Sequence, residues 1–70
     1  MPGNVGELLE ERDAARALAV SAETLRLWRR RGIGPPYVRV GPRLVRYLRD
    51  DLASFIRSRR VEAGRARFAP

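Results

Sequence analysis

The chain has 70 residues, with fifteen arginines and no lysine against eight acids, no cysteine and no histidine, for a net charge of +7. This length supports one small domain with a thin core. The missing residue types exclude disulfides and zinc sites built on thiolate or imidazole, and they remove the commonest general bases from any catalytic scheme.

The charge is unevenly spread. Residues 1–20 carry two arginines against four acids, residues 21–49 eight against one, and residues 50–70 five against three. A positive field concentrated in the middle of the chain points to a polyanionic partner, most often nucleic acid. The exclusive use of Arg is what an arginine-biased, GC-rich genome writes. It also suits a DNA ligand, because Arg is the better fork for phosphate and for guanine edges. No apolar run approaches the roughly 18 residues of a membrane span. The stretch "MPGNVGELLEE" lacks the basic start and apolar run of a signal peptide. The expectation is a soluble cytoplasmic protein with no membrane partner.

In chain order, residues 1–7 contain Gly and Pro and read as a loose arm. From Leu8 the pattern becomes ordered. "EERDAARALAV" spaces Ala14, Ala15 and Leu18 as a helix does, with acids at its start to complement the dipole. It predicts a short helix over about residues 11–19, whose alanines allow a second helix to approach closely. "VSAETLRLWRRRG" predicts that second helix: Ser21 is its N-cap, Glu23 lies in its first turn, and Gly32 ends it. Leu25 and Trp28 share one face, and Arg26, Arg29 and Arg30 fall mostly on the other. The tight connection makes the pair a helix-turn-helix.

"IGPPYVRVGPRLVRYL" is broken by three prolines and two glycines. Tyr37 to Val40 and Arg43 to Tyr47 are β-prone segments around Gly41-Pro42, which predicts a hairpin with a basic tip. "RDDLASFIRSRR" predicts a last helix, with Asp50 and Asp51 in its first turn and Leu52, Phe55 and Ile56 as its apolar stripe. Adjacent Asp50 and Asp51 do not converge on a helix, so they read as dipole partners rather than a catalytic or metal-binding pair. Residues 61–70 read as a flexible basic tail. The expected organisation is therefore a mainly α domain over residues 8–60 carrying a small β-hairpin.

The order helix, turn, helix, basic hairpin, helix resembles the small winged helix-turn-helix proteins of the excisionase and AlpA-like group, relatives of the MerR-type DNA-binding domain. The residues that carry the resemblance are Leu9, Ala14-Ala15, Leu18, Val20-Ser21, Thr24-Leu25, Trp28, Gly32, "GPPYVRVGPRLVRY" and "DLASF". It implies that the second helix enters the major groove of double-stranded DNA and that the hairpin wing lies along the backbone or minor groove. Ala19 departs from the pattern where the family often has Gly, and Glu10 stands where a Ser or Thr cap is common. The resemblance implies activity at the nucleoid of a bacterial cell, either as an excisionase or as a small transcription regulator. An integrase or recombinase would be the protein partner in the first case, RNA polymerase in the second.

The candidate DNA-binding residues are Ser21, Thr24, Arg26, Arg30, Arg39, Arg43 and Arg46. Ser21 caps the reading helix and Thr24 lies in its first turn. Arg26 and Arg30 are four apart and share one face. Arg43 is nearest the hairpin tip, flanked by Arg39 and Arg46. Arg29 and Arg31 point toward the flanks of the helix, and their role is left open. Trp28 reads as core rather than a stacking platform, and Tyr37 and Tyr47 as core or wing support. No cofactor, metal or catalytic set is expected. A single small domain makes a modest DNA interface, so head-to-tail binding of several copies on repeated sites is expected. A protein-interaction module that kept this fold and lost DNA binding is the reading from another class.

Overall fold

Capping residues place the two helices of the helix-turn-helix. In the computed structural model, which describes residues 7–62, α1 spans Glu11–Leu18 and α2 spans Ala22–Arg31. The Ser21 hydroxyl accepts a hydrogen bond from the Thr24 amide at 3.0 Å, as an N-cap should. Glu10 occupies the N-cap of α1 without a side-chain cap bond. The dipole support there comes instead from Glu11 and Asp13 in the first turn.

Both helices end in the same motif. Gly32 at the end of α2 is left-handed at φ 73°, with its amide bonded to the Arg29 carbonyl and the next amide, Ile33, bonded to the Trp28 carbonyl. Ala19 does the same for α1: φ is 59°, its amide reaches the Arg16 carbonyl, and the Val20 amide reaches Ala15. The turn between the helices thus does need a positive φ, and an alanine supplies it. Ala19 is the one non-glycine residue with positive φ among the described residues.

The wing is larger than the sequence implies. β2 (Val38–Gly41) and β3 (Leu44–Leu48) pair antiparallel around a turn at Pro42 and Arg43, with a register irregularity between Arg39 and Gly41. A third strand, β1 (Leu8–Glu10), pairs with the other edge of β3, giving the order β1-β3-β2. Glu7 extends this pairing: its carbonyl accepts from the Arg49 amide at 2.9 Å, and its carboxylate accepts from Arg49 Nε at 2.7 Å. That contact holds the Glu7 carboxyl below its ordinary value. The rest of the N-terminal segment read as an arm, residues 1–6, lies outside the described residues, as does the tail beyond Glu62.

The last helix, α3, runs Arg49–Ser58, directly after β3, with Asp50 and Asp51 in its first turn. Its stripe is buried unequally. Leu52 is 2% exposed, whereas Ile56 is 47% exposed and stands outside the core. The core consists of Ala14, Ala15, Leu25, Tyr47 and Leu52, with Leu9, Leu18, Val20, Ala22, Trp28 and Val45 packed against it. Each apolar element thus contributes to one cluster: α1 through its alanines, α2 through Leu25, β3 through Tyr47, and α3 through Leu52. Burial of Leu25 and of Leu52 stabilises by about 1.5–3 kcal/mol each, so loss of either is severe for a core this small. The result is a winged helix-turn-helix. No helix among the described residues is long and apolar enough to cross a membrane.

A left-handed conformation costs an L-residue roughly 1–2 kcal/mol, part of which glycine returns through its freer unfolded chain. Ala19 is exposed, so its methyl supplies little packing in exchange. Ala19→Gly is expected to raise stability by about 0.5–1 kcal/mol, and Ala19→Val to lower it. Urea unfolding of the two variants checks this; a loss of stability in the glycine variant would contradict it.

Candidate nucleic-acid interface

A groove of about 500 Å³ runs between α2 and the hairpin. Six arginines line it: Arg12 from α1, Arg26 and Arg29 from α2, and Arg39, Arg43 and Arg46 from the wing. They come from three separate elements, and the fold collects them on one side of the molecule. Glu10 and Glu11 are the acids of the groove.

Four of the candidate residues, Arg26, Arg39, Arg43 and Arg46, lie together in this groove. Arg39 and Arg43 are exposed. Arg43 sits in the turn itself, where an extended strand cannot restrain it. Arg46 is half-buried on the central strand and donates from Nη1 to the Val45 carbonyl at 2.9 Å, which leaves the rest of its fork directed elsewhere. Ser21, Thr24 and Arg30 do not line the groove. Ser21 Oγ donates to Thr24 Oγ1 at 2.9 Å, so the two hydroxyls are joined at the start of α2. Thr24 Oγ1 is the acceptor there, and its own O–H remains available as a donor. Arg30 is exposed on α2 and makes no ion pair among the described residues.

Arg29, which the sequence left open, has a structural task. Its Nη2 donates to Glu11 Oε2 at 2.9 Å, and its guanidinium lies 5.7 Å from the centre of the Tyr37 ring. Tyr37 in turn stands 6.2 Å from Tyr47. The side chain is 18% exposed. Pairing with Glu11 raises the Arg29 pKa above its ordinary value, so its charge persists across any working pH. The Tyr47 hydroxyl is buried, and this burial pushes its pKa up, with the nearby Arg29 charge acting in the opposite sense. Arg29 therefore joins α1, α2 and the segment leading into the wing.

Glu11 also faces a second arginine. Arg26 Nε lies 3.6 Å from Glu11 Oε1, with the Arg26 side chain 46% exposed. One carboxylate thus holds two guanidinium groups of α2. The inner one is held within the scaffold, and the outer one, Arg26, is the more exposed of the two and lines the groove. Sequence reasoning missed Glu11 and Arg12 as groove residues. Both are on α1, and charge spacing along one helix gives no sign of which residues of another element it will meet.

Among the described residues no group of three or more His, Cys, Asp or Glu is placed to hold a metal ion. The chemistry of the groove is that of fixed positive charge and forked N–H donors, matched to phosphate oxygens and to acceptor edges of bases.

Removing Glu11 would leave Arg29 partly buried without its carboxylate. Glu11→Ala is expected to cost about 1–3 kcal/mol of stability, read by chemical denaturation. A neutral effect would mean that Arg29 is solvated well enough to stand alone.

The comparisons with known proteins agree with this architecture. A family model described as a helix-turn-helix domain matches residues 8–60. No curated protein and no solved structure gives a significant match. With the matched span running from β1 through all three helices, the chain belongs to the helix-turn-helix domain family, which supports a DNA-binding protein.

Proposed function

We propose that the chain is a sequence-specific, non-enzymatic DNA-binding protein that acts as an excisionase, binding repeated sites and bending the DNA between them. The observation that carries the DNA-binding reading is the groove itself, where Arg26 of α2 and Arg39, Arg43 and Arg46 of the wing share one concave, basic surface. In this reading α2 enters the major groove. Thr24 and Arg30 meet bases or phosphates at its two ends, and Ser21 holds its first turn. Arg26 directs its terminal nitrogens at a base edge while Glu11 restrains its Nε. An arginine held in this way keeps the fork that pairs with guanine O6 and N7. Arg43 and Arg46 grip the backbone through the wing, with Arg39 beside them.

A single domain of this size makes a small interface, so useful affinity comes from several copies side by side or from a protein partner. Head-to-tail assembly on repeated sites fits the charge layout, with an acidic first segment and a basic middle. An excisionase would direct an integrase or recombinase. A small transcription regulator, with RNA polymerase as partner, uses the same groove in the same way, and the target site distinguishes the two. Selection of bound duplexes from a random pool, followed by sequencing, gives that site. Recovery of a short motif repeated at helical-turn spacing supports specific, cooperative binding, and its occurrence beside recombination sites supports the excisionase reading over promoters. No enrichment, together with binding that vanishes at moderate salt, would reduce the groove to non-specific charge.

Two substitutions separate the roles of helix and wing. Arg43→Ala is expected to weaken binding to all sequences alike and to lower the salt slope by about one. Specificity lost at unchanged slope would refute a backbone contact. Arg26→Ala is expected to cost about 1–3 kcal/mol on the selected site and much less on random DNA. An equal loss on both would make Arg26 a phosphate contact. Binding titrations over a range of salt concentrations read both.

A further inference from the structure

A second groove, of about 530 Å³, lies where the C-terminal ends of the three helices meet. It is lined by Leu18 from α1, Trp28 from α2, Ile33 and Gly34 just after α2, Phe55 and Ile56 from α3, and Arg59. It shares no lining residue with the basic groove. Helix α2 serves both: Ala22, Arg26 and Arg29 face the wing, and Trp28 faces this one.

The groove is apolar and open. Ile33 is 50% and Ile56 47% exposed, and among the described residues neither is covered. Its floor is aromatic, with Trp28 and Phe55 ring centres 6.3 Å apart and tilted by 50°. Its wall is held firmly by the end of α2. Gly34 lies so close to Trp28 that an added Cβ would meet the side chain at 3.1 Å, and its φ of 91° excludes other residues. The Ile33 amide bonds to the Trp28 carbonyl at 2.9 Å. A preformed, rigid, apolar concavity of this size is what an anchoring side chain needs.

Charge identifies the occupant. Among the described residues the lining has one charged residue, Arg59, whose guanidinium stands 4.9 Å from the centre of the Phe55 ring, and no carboxylate. The helices that wall the groove end in basic last turns, with Arg31 on α2 and Arg57 on α3. A ligand here must fill an aromatic-floored groove and tolerate a basic rim. The chain's own segment 63–70 contains Phe68 but brings Arg65 and Arg67 and no acid, so it carries the wrong sign. We propose that this groove docks an acidic segment of a protein partner, anchored by an aromatic or leucine side chain and flanked by Asp or Glu that meet Arg59 and its neighbours. Because the two grooves are separate, the segment binds while the chain is on DNA. The groove would then couple a second protein to a DNA-bound copy, and it exists whether or not the excisionase reading holds.

The test uses the full chain and a random peptide library, selected with and without saturating duplex DNA. Trp28 is the single tryptophan, so its fluorescence reports occupancy directly. The expected result is enrichment of peptides with a Trp, Phe or Leu beside two or more acids, both on and off DNA, and a shift of Trp28 emission on binding of synthetic copies that carry Phe or Leu and no Trp. Ile56→Asp is expected to weaken those peptides by about tenfold or more, and Arg59→Glu to reverse the charge preference. Both positions are exposed, and DNA binding by each variant serves as the check on folding. Enrichment of uncharged or basic peptides, or binding indifferent to Ile56→Asp, would overturn the proposal. So would self-association of the wild-type chain abolished by Ile56→Asp, which assigns the groove to a second copy. A change in Trp28 emission of the free chain on Phe68→Ala would assign it to the chain's own tail and overturn it equally. Loss of peptide binding without loss of DNA binding, or the reverse, separates this proposal from the DNA-binding reading.

Discussion

The carboxylate of Glu11 meets two arginines of α2 at once, Arg29 at 2.9 Å and Arg26 at 3.6 Å. Much of the interface follows from that one group. It stands in the first turn of α1, where the helix dipole already favours an anion. From there it fixes the rotation of α2 relative to α1. Through Arg29 and Tyr37 it also fixes the segment that leads into the wing. An ion pair on an open surface is worth little. This one is partly shielded, bridges residues eighteen apart in the chain and is joined through Arg29 to the tilted Tyr37–Tyr47 ring pair, so it links several elements of the domain. The electrostatic consequence is a division of labour among adjacent arginines. Arg29 neutralises Glu11 within the scaffold, and the arginines around it keep their charge for a ligand.

The hydrophobic scaffold is as spare as a chain of this size permits. Two alanines on α1 let α2 come close enough for Leu25 to be buried, and Tyr47 and Leu52 close the cluster from the sheet and from α3. Ala19 holds the turn at a backbone conformation that glycine adopts freely, although it is the residue that departs from the family pattern. The hydrogen bonds of the motif, from Ala19 to Arg16 and from Val20 to Ala15, are all made. The strain is therefore local and is carried by packing, rather than relieved by a shift of the turn. Three strands rather than two support the wing. With β3 in the centre, the hairpin that bears Arg39, Arg43 and Arg46 is braced from its inner edge.

Helix α2 has a wet side and a dry side. The wet side shares a groove with the wing and carries forked donors for a polyanion. The dry side ends at Trp28, beside Ile33, Phe55 and Ile56, in a surface that DNA in the first groove would leave free. A domain too small to bind DNA tightly alone gains from a second contact of this kind, because linked binding events multiply their effect. The same helix therefore joins the basic side of the molecule to its apolar side.

What the sequence by itself determined was local. Ser21 and Gly32 marked the ends of α2, Asp50 and Asp51 the start of α3, and Gly41-Pro42 the hairpin turn, which falls one residue later, at Pro42 and Arg43. Each of these depends on backbone preferences within a few residues. The periodic apolar positions also told which side of α2 is inward at Leu25. Tertiary structure alone decided the rest. β1 is three residues long, too short for an alternating pattern, and exists because β3 offers it an edge. Arg26 and Arg29 look equivalent in the sequence. Their different tasks come from Glu11, which reaches them only once α1 packs on α2. Ile56 continues an apolar stripe that packing abandons one turn after Leu52, because no element among the described residues extends far enough to cover it. Short-range propensity writes where helices begin and end. Which side chains of like charge or like polarity meet a partner is a matter of long-range contact, and the chain acquires that only on folding.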